Sequence, residues 1–522
     1  MKVNLAVDLD AEGFSGSVIT DYASGSTNCI VYKAGEKVKV SQRPSIDISE
    51  SASGIAALNN RARGLFYWEA SAKLYIVHDN DLYSQTQSSA RIAEVTGTFS
   101  AGTERCTFIE TVGTQRLVIL DAENNKGWYL TVGESLNQIA SNFPATLVHG
   151  GAILDGFLFV MNDDGAIYNS AFNDPTVFPT TGFLTAERDN DKGVYLGKHH
   201  EHIVAFSTRT IEFFYNANNV TGSPLNRRQD LVYSTGCVSG TAVWEDGDVT
   251  FFLGSNPTGQ VACYKLENFQ ISPVSNEPLN SFFTQAITQD SIRFALSGFS
   301  QMGHRTLIVT SYTLTGAAPG QIMPQQSLSY DSVTGFWGFI KTSLNAHTTF
   351  PVISFTKRTG GQNAVVAART GEGIFHNGDI FNTNDRLLPI DTLLASAGVY
   401  EDGVYEVDVY EGSASGVGSN IAIIVRTGLI DGDTEATKFQ ATKFQASETI
   451  SMESTALSQT MRIRHSNGVS NNFNVGNTVD TSLTRKKISQ GGSFIRRNYQ
   501  LEYSGSEQIY MRDLDIDVGA GL

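Results

Sequence analysis

Cysteine is scarce in this chain: four occur in 522 residues, at positions 29, 106, 237 and 263, with no CxxC and no close pair. That spacing excludes a disulfide framework and a cysteine-held zinc cluster, and four small buried hydrophobes are expected instead. Long apolar runs are missing as well, since no stretch reaches the roughly 18 uninterrupted residues a membrane helix needs. The opening "MKVNLAVDLDAEG" sets Asp8, Asp10 and Glu12 where a signal peptide would carry its apolar core, so synthesis in a cytoplasm without secretion is expected. Positive charge is in deficit, with 37 Lys and Arg against 53 Asp and Glu for a formal net charge of −16. Tight wrapping of nucleic acid phosphates is therefore disfavoured for the molecule as a whole. A G-x-S-x-G elbow, a P-loop and a GxGxxG turn are all absent.

What is present is a turn-rich, aromatic-rich chain with 41% hydrophobic and 17% charged residues, 49 glycines and 12 prolines. The length exceeds one ordinary core, and two to four domains are expected. Pairs of apolar runs around Gly, Asn or Asp read as hairpins. They recur in "RGLFYWEASAKLYIVHDNDLYS" (63–84), "TFIETVGTQRLVILDAENNKGWYLT" (107–131) and "LDGFLFVMNDDGAIYNS" (154–170), the last with Asp164-Gly165 to supply the positive φ of a tight turn. The pattern continues at 197–216, 242–266, 305–340 and 364–378, about seven units at a spacing of roughly 40–60 residues. An all-β chain with an irregular six- or seven-bladed β-propeller fits this best, each small sheet burying its face on its neighbours. A sandwich or β-solenoid could be built from the same hairpins.

The pattern changes after Asp385, where one short possible helix precedes the alternating strand "VYEVDVYEG" and the apolar "IAIIV". The expected organisation is N-terminal strands (1–60) joined to a platform, a propeller (61–385) and a second, β-sandwich-like platform domain (386–522). Within the last lies the exact duplication "ATKFQATKFQ" (436–445), which reads as an extension of a surface loop or strand. Residues 460–500 carry Arg462, Arg464, Arg485, Lys486, Lys487, Arg496 and Arg497 against the single acid Asp480. That stretch is net +6, which leaves −22 on the rest of a chain whose total is −16. The seven cations are either a solvated face or an assembly interface that docks an acidic neighbour, the next copy or a partner ring.

Candidate chemistry is thin. His199, His200 and His202 invite a metal, with 200 and 202 on one face of a strand, but no third ligand is fixed nearby and "KHHEH" falls where a blade turn is expected. The acidic turns at 162–165, 245–248 and 431–434 lack the full calcium-loop pattern. A pair of carboxylates for glycosidase chemistry can always be found among 53 acids, yet no arginine cluster or aspartate-box repeat marks one. No catalytic, metal or cofactor site is expected.

Residues 199–279 run in an ordered series: Arg209-Thr210-Ile211-Glu212, Asn216, Pro224, Gly236-Cys237, Phe251-Phe252-Leu253-Gly254, then Tyr264, Asn268, Phe269, Gln270, Ile271-Ser272 and Glu277. This series resembles the packaged-DNA stabilisation proteins, the tail nozzle proteins of short-tailed bacteriophages. Looser likeness extends upstream through "DGFLFVMNDDGAIYNSAFNDPTVF" (155–178) and downstream through "RIRHSNGVSNNFN" and "SFIRRNYQLEYSGSEQIYMRDLDIDV". Two departures stand out: Ser466-Asn467-Gly468 replaces the family's Ser-x-Asp-Gly-Gly-x-Thr-Trp turn, and Arg43-Pro44-Ser45 its "RPG". The resemblance implies a structural virion protein at the head–tail junction, made in the host bacterial cytoplasm. It would be a homohexamer stacked under the portal and adaptor rings, meeting tail fibre or spike proteins, and double-stranded DNA would pass through its lumen without specific binding. Two other readings stand beside it, a tail-associated propeller enzyme acting on polysaccharide and a receptor-binding module.

Overall fold

The computed structural model describes residues 62–340 nearly throughout, together with 2–4, 26–34, 37–42, 46–48 and strands between 352 and 520. The short helix expected after Asp385, the 385/386 boundary itself, most of the pentapeptide duplication and the 467–468 turn lie outside the described residues.

The described chain is almost entirely antiparallel sheet. Six blades follow one another in sequence at 62–94, 107–138, 152–185, 193–233, 236–273 and 292–339, each paired in chain order from an inner to an outer strand. Six of the expected hairpin units fall in these blades; of the seventh, 364–378, only the strand Ala364–Ala368 is among the described residues. In blade three, Phe157–Met161 pairs with Ala166–Asn169 across Asn162–Gly165; Gly165 sits at φ +81°, and the Asn162 side chain accepts from the Ala166 amide at 2.7 Å. The "KHHEH" turn is likewise where blade four reverses, with His200 at φ +50° between Gly193–His199 and His202–Ser207.

A further four-stranded sheet, Val352–Lys357, Ala364–Ala368, Val404–Val407 and Ile46–Ile48, packs its first strand between the first strands of blades six and one. The Tyr67 amide donates to Thr356 Oγ1 at 3.3 Å across that seam, so the ring of sheets closes on itself. Its outer strand comes from the N-terminal region, pairing Ile48 with Tyr405 and Ile46 with Val407.

The core is distributed as layers between blades, as a propeller requires. Trp68, Tyr75, Leu117, Ile119 and Trp128 fill the layer between blades one and two, and Phe251, Phe283, Phe294, Leu307 and Trp337 that between five and six. The helix Glu277–Ile287 lies between these last two blades: Asn276 caps it by accepting from the Leu279 amide, and Leu279, Phe282, Phe283 and Ala286 are buried. Each such side chain withdraws about 1.5–3 kcal/mol of apolar surface from water.

The C-terminal residues form two further sheets. One combines Cys29–Ala34 and Lys37–Gln42 with Phe444–Ser454, Arg485–Ile488 and Ile509–Ala520; the other joins Ala422–Arg426, Thr460–Ser466, Thr478–Asp480 and Arg496–Ser504. No helix among the described residues is long and apolar enough to cross a membrane.

Candidate functional site

The inner strands of a propeller surround its axis, and here that axis is crossed by one side chain. Arg105 precedes the first strand of blade two, Thr107–Thr111. Its guanidinium donates to the Leu296 carbonyl at 2.6 Å and to the Val243 carbonyl at 2.9 Å, on the inner strands of blades six and five. Neighbouring groups build a collar around it. Glu104 Oε2 meets His149 Nε2 at 3.0 Å, the Gly150 amide donates to Thr107 Oγ1 at 3.2 Å, and Thr241 Oγ1 donates to the Phe294 carbonyl at 2.7 Å. Glu245 accepts from the Lys198 amide at 3.3 Å, beside the Tyr195 hydroxyl and Arg105. Burial pushes its carboxyl up to about 7, against the pull of the Lys198 amide, Arg105 and Tyr195. A Cβ at position 197 would collide with Glu245 Oε1, so glycine there is a condition of this approach.

The ordered series at 199–279 turns out to be a clasp between blades four and five. The Arg209 and Thr210 amides donate to Asp191 Oδ2 at 2.9 and 3.1 Å, fixing the turn that launches Ile211–Asn216. Buried Glu212 pairs with Arg227 at 2.7 Å. Asn216 reaches back to Asp155 of blade three at 2.8 Å, and the Pro224 carbonyl accepts from the Ala217 amide at 2.8 Å. Gly236 packs against the Thr208 carbonyl with no room for a Cβ. Asn268 and Phe269, at φ +49° and +61°, form the tight turn between Val261–Glu267 and Gln270–Pro273. Positive φ is costly for a bulky aromatic, and Phe269 is held there from every side. Its amide donates to His199 Nε2 at 3.1 Å and its carbonyl accepts from the Tyr233 hydroxyl. The rings of His199, His200 and His202 surround its own at 5.0, 5.3 and 5.0 Å.

The three histidines therefore serve packing. His202 Nε2 lies 3.2 Å from Arg228, and among the described residues no three metal-capable side chains converge. Burial and the neighbouring His200 push His199 down to about 4, so it is neutral at ordinary pH. The cysteines are free: Cys106, Cys237 and Cys263 are buried and Cys29 partly so, and burial pushes the thiols of Cys106 and Cys237 up to about 12.

The seven basic residues separate onto two sheets. Arg485, Lys486 and Lys487 lie on a strand paired with Phe444–Ser454. Arg462 and Arg464 lie on Thr460–Ser466, whose partner strand carries Arg496 and Arg497 at its start. Arg462 and Arg464 both approach Glu502, at 3.9 and 3.1 Å.

No curated protein matches the sequence. Among solved structures, a streptogramin B lyase aligns at 12% identity over 62% of this chain and 95% of its own, with a TM-score of 0.37. The WD40 repeats of RRP9 align at 10% identity over 70% and 99%, with a TM-score of 0.38. At such values neither says anything of activity. A family model described as "Bacteriophage P22 Gp10, beta-propeller" matches residues 43–367, well over half of the chain. The chain belongs to this phage-stabilisation family of structural β-propeller proteins.

Proposed function

We propose that this protein assembles as a ring, with six copies expected, below the portal and adaptor of a short-tailed phage, where it extends and closes the channel through which DNA leaves. The observation that carries this reading is the Arg105 bridge from blade two to the Leu296 and Val243 carbonyls across the axis. The major groove of a duplex is alone about 12 Å wide, and a bore spanned by one arginine side chain cannot pass it. A family member that stabilises packaged DNA must then enclose the duplex between copies, and heterologous faces related by one rotation close into such a ring. The segregated charge supports this. Outside 460–500 the chain carries −22, and a lumen lined by that surplus repels phosphates, so the genome slides without sticking. The basic stretch belongs at contacts between copies or with the adaptor, away from the lumen.

Light scattering on the purified chain, alone and mixed with a portal–adaptor complex, tests the reading. A six-copy mass, free or on the complex, is the expected result. A monomer or trimer indifferent to the complex would overturn it and direct attention to a fibre module or to polysaccharide cleavage.

A further inference from the structure

The described residues expose seven large hydrophobics, and all of them lie at one end of the blades. Val132, Phe172, Val177, Phe183, Tyr215, Val220 and Val333 sit in, or next to, the connection between the third and fourth strands of blades two, three, four and six. Antiparallel order puts those connections on one face of the propeller. The opposite face turns on polar hairpins such as Asn162–Gly165 and Asn256–Gln260.

On the apolar face the residues of blades three and four merge into one rim. Phe172 is 65% exposed, Phe183 47%, Tyr215 39% and Val220 99%. Asn216 bonds Asp155 across the two blades at 2.8 Å, and Arg227 donates to the Thr185 carbonyl at 3.3 Å. The loop presenting Phe172 is built, not slack. Ala171 and Val177 bond through their main chains at 2.7 Å, the Asn173 amide donates to the Gly156 carbonyl at 2.8 Å, and Asp174 is fixed by Arg116 at 2.7 Å and by the Thr176 hydroxyl at 2.7 Å. Although burial raises the Asp174 carboxyl, Thr176 and Arg116 hold it below the usual range, so it stays charged. Asp174 and Arg116 offset one another, as do Glu212 with Arg227 and Asp230 with Arg228, so the exposed Asp155 leaves this apolar rim with a small acidic surplus.

We propose that this rim of blades three and four is the acceptor on which a second copy of the chain seats its basic C-terminal strands, 460–500. This rests on the ring reading above. The complement is present in the same molecule: an apolar face with a slight acidic surplus at Asp155 on a propeller whose chain carries −22 outside 460–500, and a +6 stretch elsewhere. Opposite charge steers such faces together, and desolvated aromatics hold them. The two surfaces are different, so each copy offers one to the next, as a heterologous ring requires.

The test uses the full chain with Phe172 replaced by photoreactive benzoylphenylalanine, assembled alone or on the portal–adaptor complex, irradiated, and mapped by mass spectrometry. Crosslinks from position 172 to residues 460–500 of another copy are expected. In parallel, the double variant Phe172→Ser/Val220→Ser, which removes apolar surface without adding charge, should weaken association at least tenfold while the melting curve shifts little, since Val220 is 99% exposed and Phe172 touches Phe157 from a 65% exposed position. A ring that forms while its crosslinks land elsewhere, on the adaptor or on a fibre protein, overturns this assignment and leaves the ring standing. A chain that stays monomeric alone and with the adaptor overturns the ring, and this acceptor with it.

Discussion

Single positions decide whether two blades can meet. Gly236 lies against the Thr208 carbonyl oxygen, inside the space a Cβ would need. The obstacle is main chain and cannot swing aside, so Gly236→Ala should cost about 3 kcal/mol through overpacking at the seam; urea unfolding followed by tryptophan fluorescence reads the loss, and an unchanged midpoint would show that the seam can yield. Two titratable groups, half-buried Glu245 and buried His199, give the ring opposite responses to pH. Glu245, raised to about 7 from an ordinary 4.5, binds its proton more tightly folded than unfolded. Its contribution is therefore full at low pH and is lost as pH rises through 7. His199, lowered to about 4 from 6.5, contributes above 6.5, and that contribution is lost as pH falls towards 4. Between pH 7 and 5 each changes by about 2 kcal/mol with opposite sign, so the intact protein should show a nearly flat melting temperature. Glu245→Gln should unmask a fall in stability on acidification and His199→Gln a rise. Parallel curves for both variants across that range would refute the assignment.

At the scale of elements, the blade hairpins were legible because the information is local: alternating apolar residues, then a pair such as Asp164-Gly165, set both strand and turn within a few residues. The helix Glu277–Ile287 falls between two expected hairpin units and was not anticipated. Its signal was there, since Asn276 before Glu277-Pro278 is a cap and Leu279, Phe282, Phe283 and Ala286 share a helical face. Other features have no local signature. Arg105 bonds carbonyls 138 and 191 residues away, and main-chain acceptors leave no trace in side-chain identity. The pairing of Ile46–Ile48 with Val404–Val407 spans still more chain. The family series was legible as an order of residues but not as a clasp, because the contact of Phe269 with His199 forms only when two blades stack. That clasp predicts a sign. Phe269→Gly removes the strain of φ +61°, about 1–3 kcal/mol by the usual scale, but deletes a half-buried ring packed on three histidines, worth about 3 kcal/mol, the low end for truncating an aromatic. Net destabilisation of about 1 kcal/mol is expected in the same urea assay. A variant more stable than the parent would mean that strain outweighs packing.

For the whole molecule the proposed ring poses a question: how a chain of net charge −16 would both avoid DNA and bind its neighbours. A uniform surface could not do both, because the field that repels phosphate also repels a second copy. In the proposed ring, segregation would resolve the conflict: repulsion would act where the surplus of −22 lies, and attraction through 460–500. Within that stretch Arg462 and Arg464 already face Glu502 of their own sheet. Neutralising them would disturb a local pair as well as any interface. Arg485, Lys486 and Lys487 share one short strand of the other sheet and are the sharper probe. Replacing all three with Gln should leave the propeller's melting transition in place and weaken assembly at least tenfold, with a shallower dependence of association on salt, since fewer charges remain to be screened. Sedimentation velocity at two salt concentrations measures both quantities together. Loss of affinity with the salt slope unchanged would mean that these cations act through the fold of their strand; unchanged assembly at both salts would remove them from the interface and leave 462–464 and 496–497 as the cations that join one copy to the next.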